Sequence, residues 1–251
     1  MIFIIKFSGH RGYKAKEIEN TKAAVLRAIE EKLDYIEIDV RKASDDNLVI
    51  FHNRKINKLL DGRGSVHNYS LRQLKSFQYK DGQKILTFEE LLDLTKGKIK
   101  LIIDVKSKEI EKKIISMISK YEIQKEVIIQ SFLKTIIKKC QKIAPDLDYA
   151  IYRAFVGNLG KVLGKGLRLH KLTAPLFYRF MIKKIPVKYV SLDGPFMYDE
   201  FISILNTNGL NIILGAMKTK KYLKNTEKWN IKIINCDNPE EIKKLRDASI
   251  K

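Results

Sequence analysis

The sequence predicts an α/β fold: a (β/α)8 TIM barrel with a hairpin and a small insertion after its second strand. Three observations predict it. Short apolar, β-branched runs alternate with amphipathic stretches along the chain, the pattern of a parallel sheet covered by helices. Nine runs read as strands, and two of them are joined too tightly to be parallel. The length, 251 residues, suits one barrel of the usual size, about 250 residues.

The strand-like runs are Ile2–Ser8, Tyr35–Val40, Leu48–Phe51, Lys100–Val105, Val127–Gln130, Asp148–Tyr152, Lys188–Leu192, Asn211–Leu214 and Lys232–Asn235. Only Arg41–Asn47 separates the second from the third, and Asp45-Asp46-Asn47 is turn chemistry. A parallel crossover needs a dozen residues or more, so this pair is expected to be a hairpin that brings His52 beside Asp39. Eight strands then remain for the barrel. Thr21–Lys32 places its apolar residues largely on one side, with Asn20 suited to cap it. Phe88–Thr95, Lys108–Tyr121 and Lys134–Ile143 follow the same pattern, and Pro239 opens a last helix. Residues 53–86 read as a polar excursion above the barrel. The whole of 1–251 reads as a single barrel domain.

Composition excludes several classes. With 13 Gly and 5 Pro the chain is neither collagen-like nor low-complexity, and at 45% hydrophobic residues it is not disordered. Two cysteines, Cys140 and Cys236, make no disulfide framework and suit a reducing compartment. The first apolar run ends at Lys6, too short for a signal-peptide core or a membrane span. A cytoplasmic protein, peripheral to the inner face of the membrane, is the expectation. The net charge is +20, from 49 basic against 29 acidic residues, which favours anionic partners. No nucleic-acid-binding motif accompanies it, so nucleic acid is not an expected partner.

The chemistry-bearing residues gather at predicted strand ends, where barrel active sites are built. His10 and Arg11 follow the first strand, Glu37 and Asp39 end the second, His52 ends the hairpin return, and Asp104 and Lys106 end the next barrel strand. Glu37 and Asp39 are two apart and share a face, as do Asp104 and Lys106. Inward carboxylates are costly unless paired or metal-bound. Three of them, Glu37, Asp39 and Asp104, suit one hard divalent cation with oxygen ligands. His10 and His52 are then free for proton transfer, and Arg11 and Lys106 for holding a phosphate. Together these groups are equipment for cleaving a phosphodiester.

The chain resembles the glycerophosphodiester phosphodiesterase family. The resemblance is carried by His10-Arg11-Gly12, Glu19-Asn20-Thr21, Tyr35-Ile-Glu-Ile-Asp-Val40, the return Val49-Ile-Phe-His52, Ile103-Asp-Val-Lys106, Gln130-Ser-Phe132 and Cys236-Asp-Asn-Pro239. It is dense over 5–132, returns at 230–245 and is thin between. It implies a barrel enzyme that uses one divalent cation, Mg²⁺ or Ca²⁺, to release glycerol 3-phosphate and an alcohol from a glycerophosphodiester. It also implies His10 and His52 as the acid–base pair, Glu37, Asp39 and Asp104 as metal ligands, and Arg11 and Lys106 as phosphate-binding. In the family the substrate's own 2-hydroxyl attacks phosphorus, and water then opens the cyclic phosphate. The chain departs from the family in having Asp104 where the family has Glu. Where the family has a Trp-containing motif it has Gly215-Ala216-Met217-Lys218. The alternatives on the same barrel are a lysophospholipase D-like activity and a catalytically impaired relative that binds phosphodiester or lipid.

Residues 149–192 hold nine Lys and Arg and no Asp or Glu, interleaved with apolar side chains. A basic amphipathic stretch of this kind is suited to docking on an anionic membrane surface.

Overall fold

The computed structural model describes residues 5–153, 182, 185–193, 197–217 and 220–249. Most of the basic segment 149–192, including 154–181, therefore lies outside the described residues, as does Lys218. In chain order the elements are β1 (Lys6–His10), α1 (Lys22–Glu30), β2 (Tyr35–Lys42), β3 (Leu48–Ile50), α2 (Leu71–Ser76), β4 (Leu86–Thr87), α3 (Phe88–Thr95) and β5 (Lys100–Val105). They continue with α4 (Glu111–Lys120), β6 (Val127–Ser131), α5 (Lys134–Ile143), β7 (Asp148–Arg153), β8 (Tyr189–Leu192), α6 (Asp199–Thr207), β9 (Asn211–Met217), β10 (Ile231–Cys236) and α7 (Pro239–Ser249).

Eight strands form the expected barrel. They run in the order β1-β10-β9-β8-β7-β6-β5-β2, all parallel, and β2 pairs with β1 to close the ring. The second and third sequence runs form the expected antiparallel hairpin, with Val40 opposite Ile50 and Lys42 opposite Leu48. Its strand β2 is longer than the sequence shows, because Arg41 and Lys42 keep pairing with β3 after the barrel ladder ends.

Alternation along the strands divides the barrel interior into layers. Tyr35, Ile102, Ile128, Ala150, Ile213 and Ile233 form a buried apolar plug. Two residues further along each strand the same inward face becomes polar: Glu37, Asp104, Gln130, Tyr152 and Asn235. The opposite parity packs outward, where Ile36, Ile38, Ile103, Ile129 and Ile212 join the larger core beneath the helices.

Two expectations needed correction, and one strand went unread. Residues 53–86 are not simply a polar excursion. With the hairpin they enclose a second core around Phe51, Ile56, Leu60, Val66, Leu74, Tyr79 and Ile85, and its sparse apolar residues converge only after folding. The strand β4, too short to show a period, pairs antiparallel with β3 inside it. The cap of α1 is Thr21, whose Oγ1 accepts from Ala24 N at 3.3 Å. Asn20 stands one residue earlier, at φ 59°, and points elsewhere.

Candidate active site

The C-terminal rim of the barrel collects the groups named above. Asp39 and Asp104 are direct neighbours across β2 and β5, and Glu37 faces His10 across β2 and β1. The three carboxylates are buried and offer ligand oxygens all within 4.8 Å of one another. His10 is buried beside them, its Nε2 3.9 Å from Glu37 Oε2. The shorter Asp104 thus still reaches the cluster.

Local backbone sets the next positions. Arg11 and Gly12 take positive φ of 58° and 84°. A Cβ on Gly12 would meet the Ala24 Cβ at 2.7 Å, so only glycine fits this turn. The turn aims Arg11 N at Glu37 Oε2, a 3.1 Å hydrogen bond, and returns the guanidinium over the rim. There Nη1 donates to Glu19 Oε1 at 2.7 Å, and Nε lies 3.4 Å from Asp39 Oδ2. Lys106 Nζ contacts Asp104 Oδ2 at 2.6 Å and Asp39 Oδ1 at 3.1 Å. Phe132 covers that ammonium, ring centre 5.0 Å away, and packs edge-on against Tyr152.

Two cations against three buried carboxylates leave an imbalance. Burial, then Asp39 and Asp104, push the Glu37 carboxyl well above the usual range, against Lys106 and Arg11. Asp39 goes the other way. Burial opposes its charge, yet Lys106, His52, Arg11 and the Asn20 hydrogen bond together bring it down to about 2. Burial raises Asp104, with Lys106 opposing and Asp39 adding. For Lys106, burial is overcome by Asp104, Asp39 and Glu37, which raise it. Burial lowers His52; Asp39 pulls it up, and Arg11 and Lys106 push it down.

The donor set fits a hard divalent cation. Two cations balance two of the carboxylates, and a third ionises readily only if further positive charge arrives. Asp104 Oδ1 is buried with no hydrogen-bond partner, an atom an oxygen-seeking ion would satisfy.

Both imidazoles are oriented from behind. His10 Nδ1 is 2.5 Å from Asp237 Oδ1. A carboxylate only accepts, and His10 and Lys14 help hold Asp237 below its ordinary value although burial opposes it, so Nδ1 donates and Nε2 faces the site. His52 Nδ1 donates to Asn53 Oδ1 at 3.2 Å. Arg41 Nε and Nη2 both donate to the His52 carbonyl, at 2.9 and 2.6 Å.

Sequence reasoning missed four residues. Asp237 continues the inward parity of Ile233 and Asn235 on the last strand, and Arg41 that of Glu37 and Asp39, so period two could have found both. Glu19 accepts from the Arg11 guanidinium. Asn20 was read as a cap, but its Nδ2 donates to Asp39 Oδ2 at 2.9 Å and its Oδ1 accepts from Asp39 N at 3.3 Å. The chain's single tryptophan, Trp229, lies in the outer core with Nε1 donating to Asp199, away from the rim.

Asp237 holds His10 through Nδ1, the place of a positioning residue if His10 moves a proton. Asp237→Asn is expected to lower kcat roughly 10- to 10²-fold with KM little changed. A rise in KM as large as the fall in kcat, or a lowered Tm, would leave Asp237 a purely structural role.

The Glycerophosphoryl diester phosphodiesterase family matches residues 10–241. A glycerophosphodiester phosphodiesterase of Bacillus altitudinis is 26% identical over 96% of this chain and 98% of its own length. One from Caldanaerobacter subterraneus subsp. tengcongensis is 26% identical over 93% and 94%. Among solved structures, a putative glycerophosphoryl diester phosphodiesterase from Silicibacter pomeroyi shares the fold with a TM-score of 0.81, at 14% identity over 99% of this chain and 95% of that one. An Oleispira antarctica phosphodiesterase, in complex with the product sn-glycerol-3-phosphate, does so with a TM-score of 0.76, at 17% identity over 98% of each. Since the match runs from the histidine that ends β1 into the helix that follows β10, the chain belongs to the glycerophosphoryl diester phosphodiesterase family and is an enzyme of that kind.

Proposed function

We propose that the chain hydrolyses glycerophosphodiesters to glycerol 3-phosphate and an alcohol, with Glu37, Asp39 and Asp104 holding one divalent cation, Mg²⁺ or Ca²⁺. The observation that carries this reading is the meeting of three carboxylates within 4.8 Å beside an imidazole whose Nε2 lies 3.9 Å from one of them. The product named for the Oleispira antarctica structure supports the choice of product. When bound, the cation would stabilise negative charge gathering on the phosphoryl oxygens. Arg11 and Lys106 would orient the same phosphate from the rim. His10 Nε2 takes the proton of the glycerol 2-hydroxyl as that oxygen attacks phosphorus. Asp237 stabilises the imidazolium that forms, as a carboxylate does behind a catalytic base. His52 protonates the departing alkoxide, aided by the burial that favours loss of its proton. The two exchange roles as water opens the cyclic phosphate.

The test is an assay with glycerophosphocholine, glycerophosphoglycerol and a lysophospholipid, each with Mg²⁺, with Ca²⁺ and with EDTA. Glycerol 3-phosphate release that EDTA abolishes is expected. Lysophosphatidate release from the lipid alone would put a lysophospholipase D-like activity in its place, and binding without turnover an impaired relative. We keep the cytoplasmic, membrane-peripheral placement within this proposal, on the charge of residues 149–192. Among the described residues no helix is long and apolar enough to cross a membrane. The same preparation should co-sediment with anionic vesicles at low salt; failure to do so removes this part.

A further inference from the structure

Beside the carboxylate cluster, a cavity of about 340 Å³ is lined by Arg41, Lys42, Arg54, Lys106, His67 and Ser107, with Val66 at its wall. It lies where the end of β2, the start of β5–α4 and the insertion meet. Four of these groups are permanent cations, and no carboxylate lines it. Lys106 belongs to this cavity and to the cluster around Asp104 at once. The cavity therefore opens directly beside the site proposed for the reacting phosphate.

Arg41, Lys42, Lys106 and Ser107 are half-buried, and Arg54 and His67 are exposed at its mouth. Lys42 has Asp46 at 2.9 Å and Lys106 has Asp104 and Asp39. Arg41 and Arg54 have no carboxylate within ion-pair distance among the described residues. Burial holds the Arg41 guanidinium below its ordinary value, with Asp39 and Asp104 pulling it up and Arg54 adding a smaller push down. Arg41 and Arg54 line the same cavity with no carboxylate in its wall, so like charges are gathered there. An anion seated there would be attracted to both: Arg54 presents a guanidinium fork that matches phosphate oxygens, while Arg41, whose Nε and Nη2 donate to the His52 carbonyl, contributes Nη1 and its charge. Arg41 also shares the inward parity of Glu37 and Asp39, so it stands above them, on the way out of the site.

We propose that this cavity is a second phosphate subsite, which takes a phosphate carried by the alcohol half of the substrate. The preferred substrate class is then a glycerophosphodiester whose alcohol is itself phosphorylated, such as a short run of glycerol units joined by phosphates. One phosphate lies at the carboxylate cluster with Arg11 and Lys106. The next lies between Arg41 and Arg54, with Lys106 at the boundary and the Ser107 hydroxyl and His67 at the wall. A choline head group, cationic and without phosphate, gains nothing there. This inference rests on the proposed function, since it deepens the substrate of the same site.

The experiment compares glycerophosphocholine with glycerophosphoglycerol phosphate on wild type, Arg54→Ala and His67→Ala. Neither substituted residue belongs to the proposed catalytic machinery. Wild type is expected to favour the phosphorylated diester in kcat/KM, and Arg54→Ala to lose roughly 10-fold on it while glycerophosphocholine stays near wild type. His67→Ala should show a smaller loss of the same selectivity. Raised salt should erode the preference. Equal losses on both substrates, or no preference in wild type, would overturn the subsite. Calorimetric binding of the same two diesters separates this from failure of the proposed function. Tighter binding of the phosphorylated diester, removed by Arg54→Ala, upholds the subsite even without turnover, whereas equal binding refutes it. Inorganic phosphate provides the last arm. It should compete with the phosphorylated diester through Arg54. If it instead changes glycerophosphocholine turnover through Arg54 while the two diesters bind equally, the cavity serves free phosphate and the substrate assignment falls.

Discussion

Replacing His10 or His52 by alanine is expected to lower kcat on glycerophosphocholine by about 10²-fold or more, the usual worth of a positioned acid or base. KM should change little, because neither imidazole is assigned to phosphate binding and Arg11 and Lys106 remain. The geometry gives the two replacements different signatures. His10 is locked between Glu37 and the Asp237 carboxylate, so His10→Ala should erase the acid limb of the kcat/KM profile. His52 is held through its backbone carbonyl by the Arg41 fork. The alanine variant keeps that carbonyl, and with it the local fold, while losing the proton donor and the alkaline limb. Steady-state kinetics across pH, with circular dichroism to confirm folding, decides both points. Near-wild-type turnover in either variant would remove that histidine from the acid–base pair, and exchanged limbs would reverse the two roles.

Mg²⁺ or Ca²⁺ at 100 times its dissociation constant is expected to raise Tm by roughly 5–10 °C, from about 2.7 kcal/mol of linkage in a chain of this size. Glu37→Gln and Asp104→Asn should abolish most of that shift. Glu37→Gln should not lower the Tm measured in EDTA, since it removes an acid whose ionisation burial already resists, whereas Asp104→Asn should lower it, because Lys106 loses its 2.6 Å partner. For Glu37→Gln the EDTA measurement separates loss of a ligand from loss of the fold. The pH dependence follows from Glu37. Its carboxyl holds its proton more tightly folded than unfolded, so in EDTA its contribution is fully present at low pH. That contribution is lost as pH rises from the ordinary glutamate value through the raised folded value. A cation would displace the proton, so the cation-induced shift should grow over the same interval. Scanning calorimetry at several pH values measures it. A shift that survives intact in both variants would show that the ion binds elsewhere.

The sequence by itself determined the barrel, the hairpin and the inward direction of Glu37, Asp39, Asp104 and Lys106. All of these follow from a two-residue period and from connection length, which are properties of a short stretch of chain. Only the tertiary structure decided which groups those side chains meet. Asp237 reaches His10 because β10 closes against β1, a contact across 227 residues of sequence that no local pattern encodes. Arg41 and Arg54 face one cavity because the insertion folds onto its own small core and settles over the rim. Asn20 binds Asp39 instead of capping α1 because one left-handed residue turns its amide away from the helix. Periodicity chooses the face a residue shows, but ring closure and the packing of the insertion choose its neighbours, and here burial and those neighbours together shift Glu37, Asp39, Asp104, Lys106 and His52.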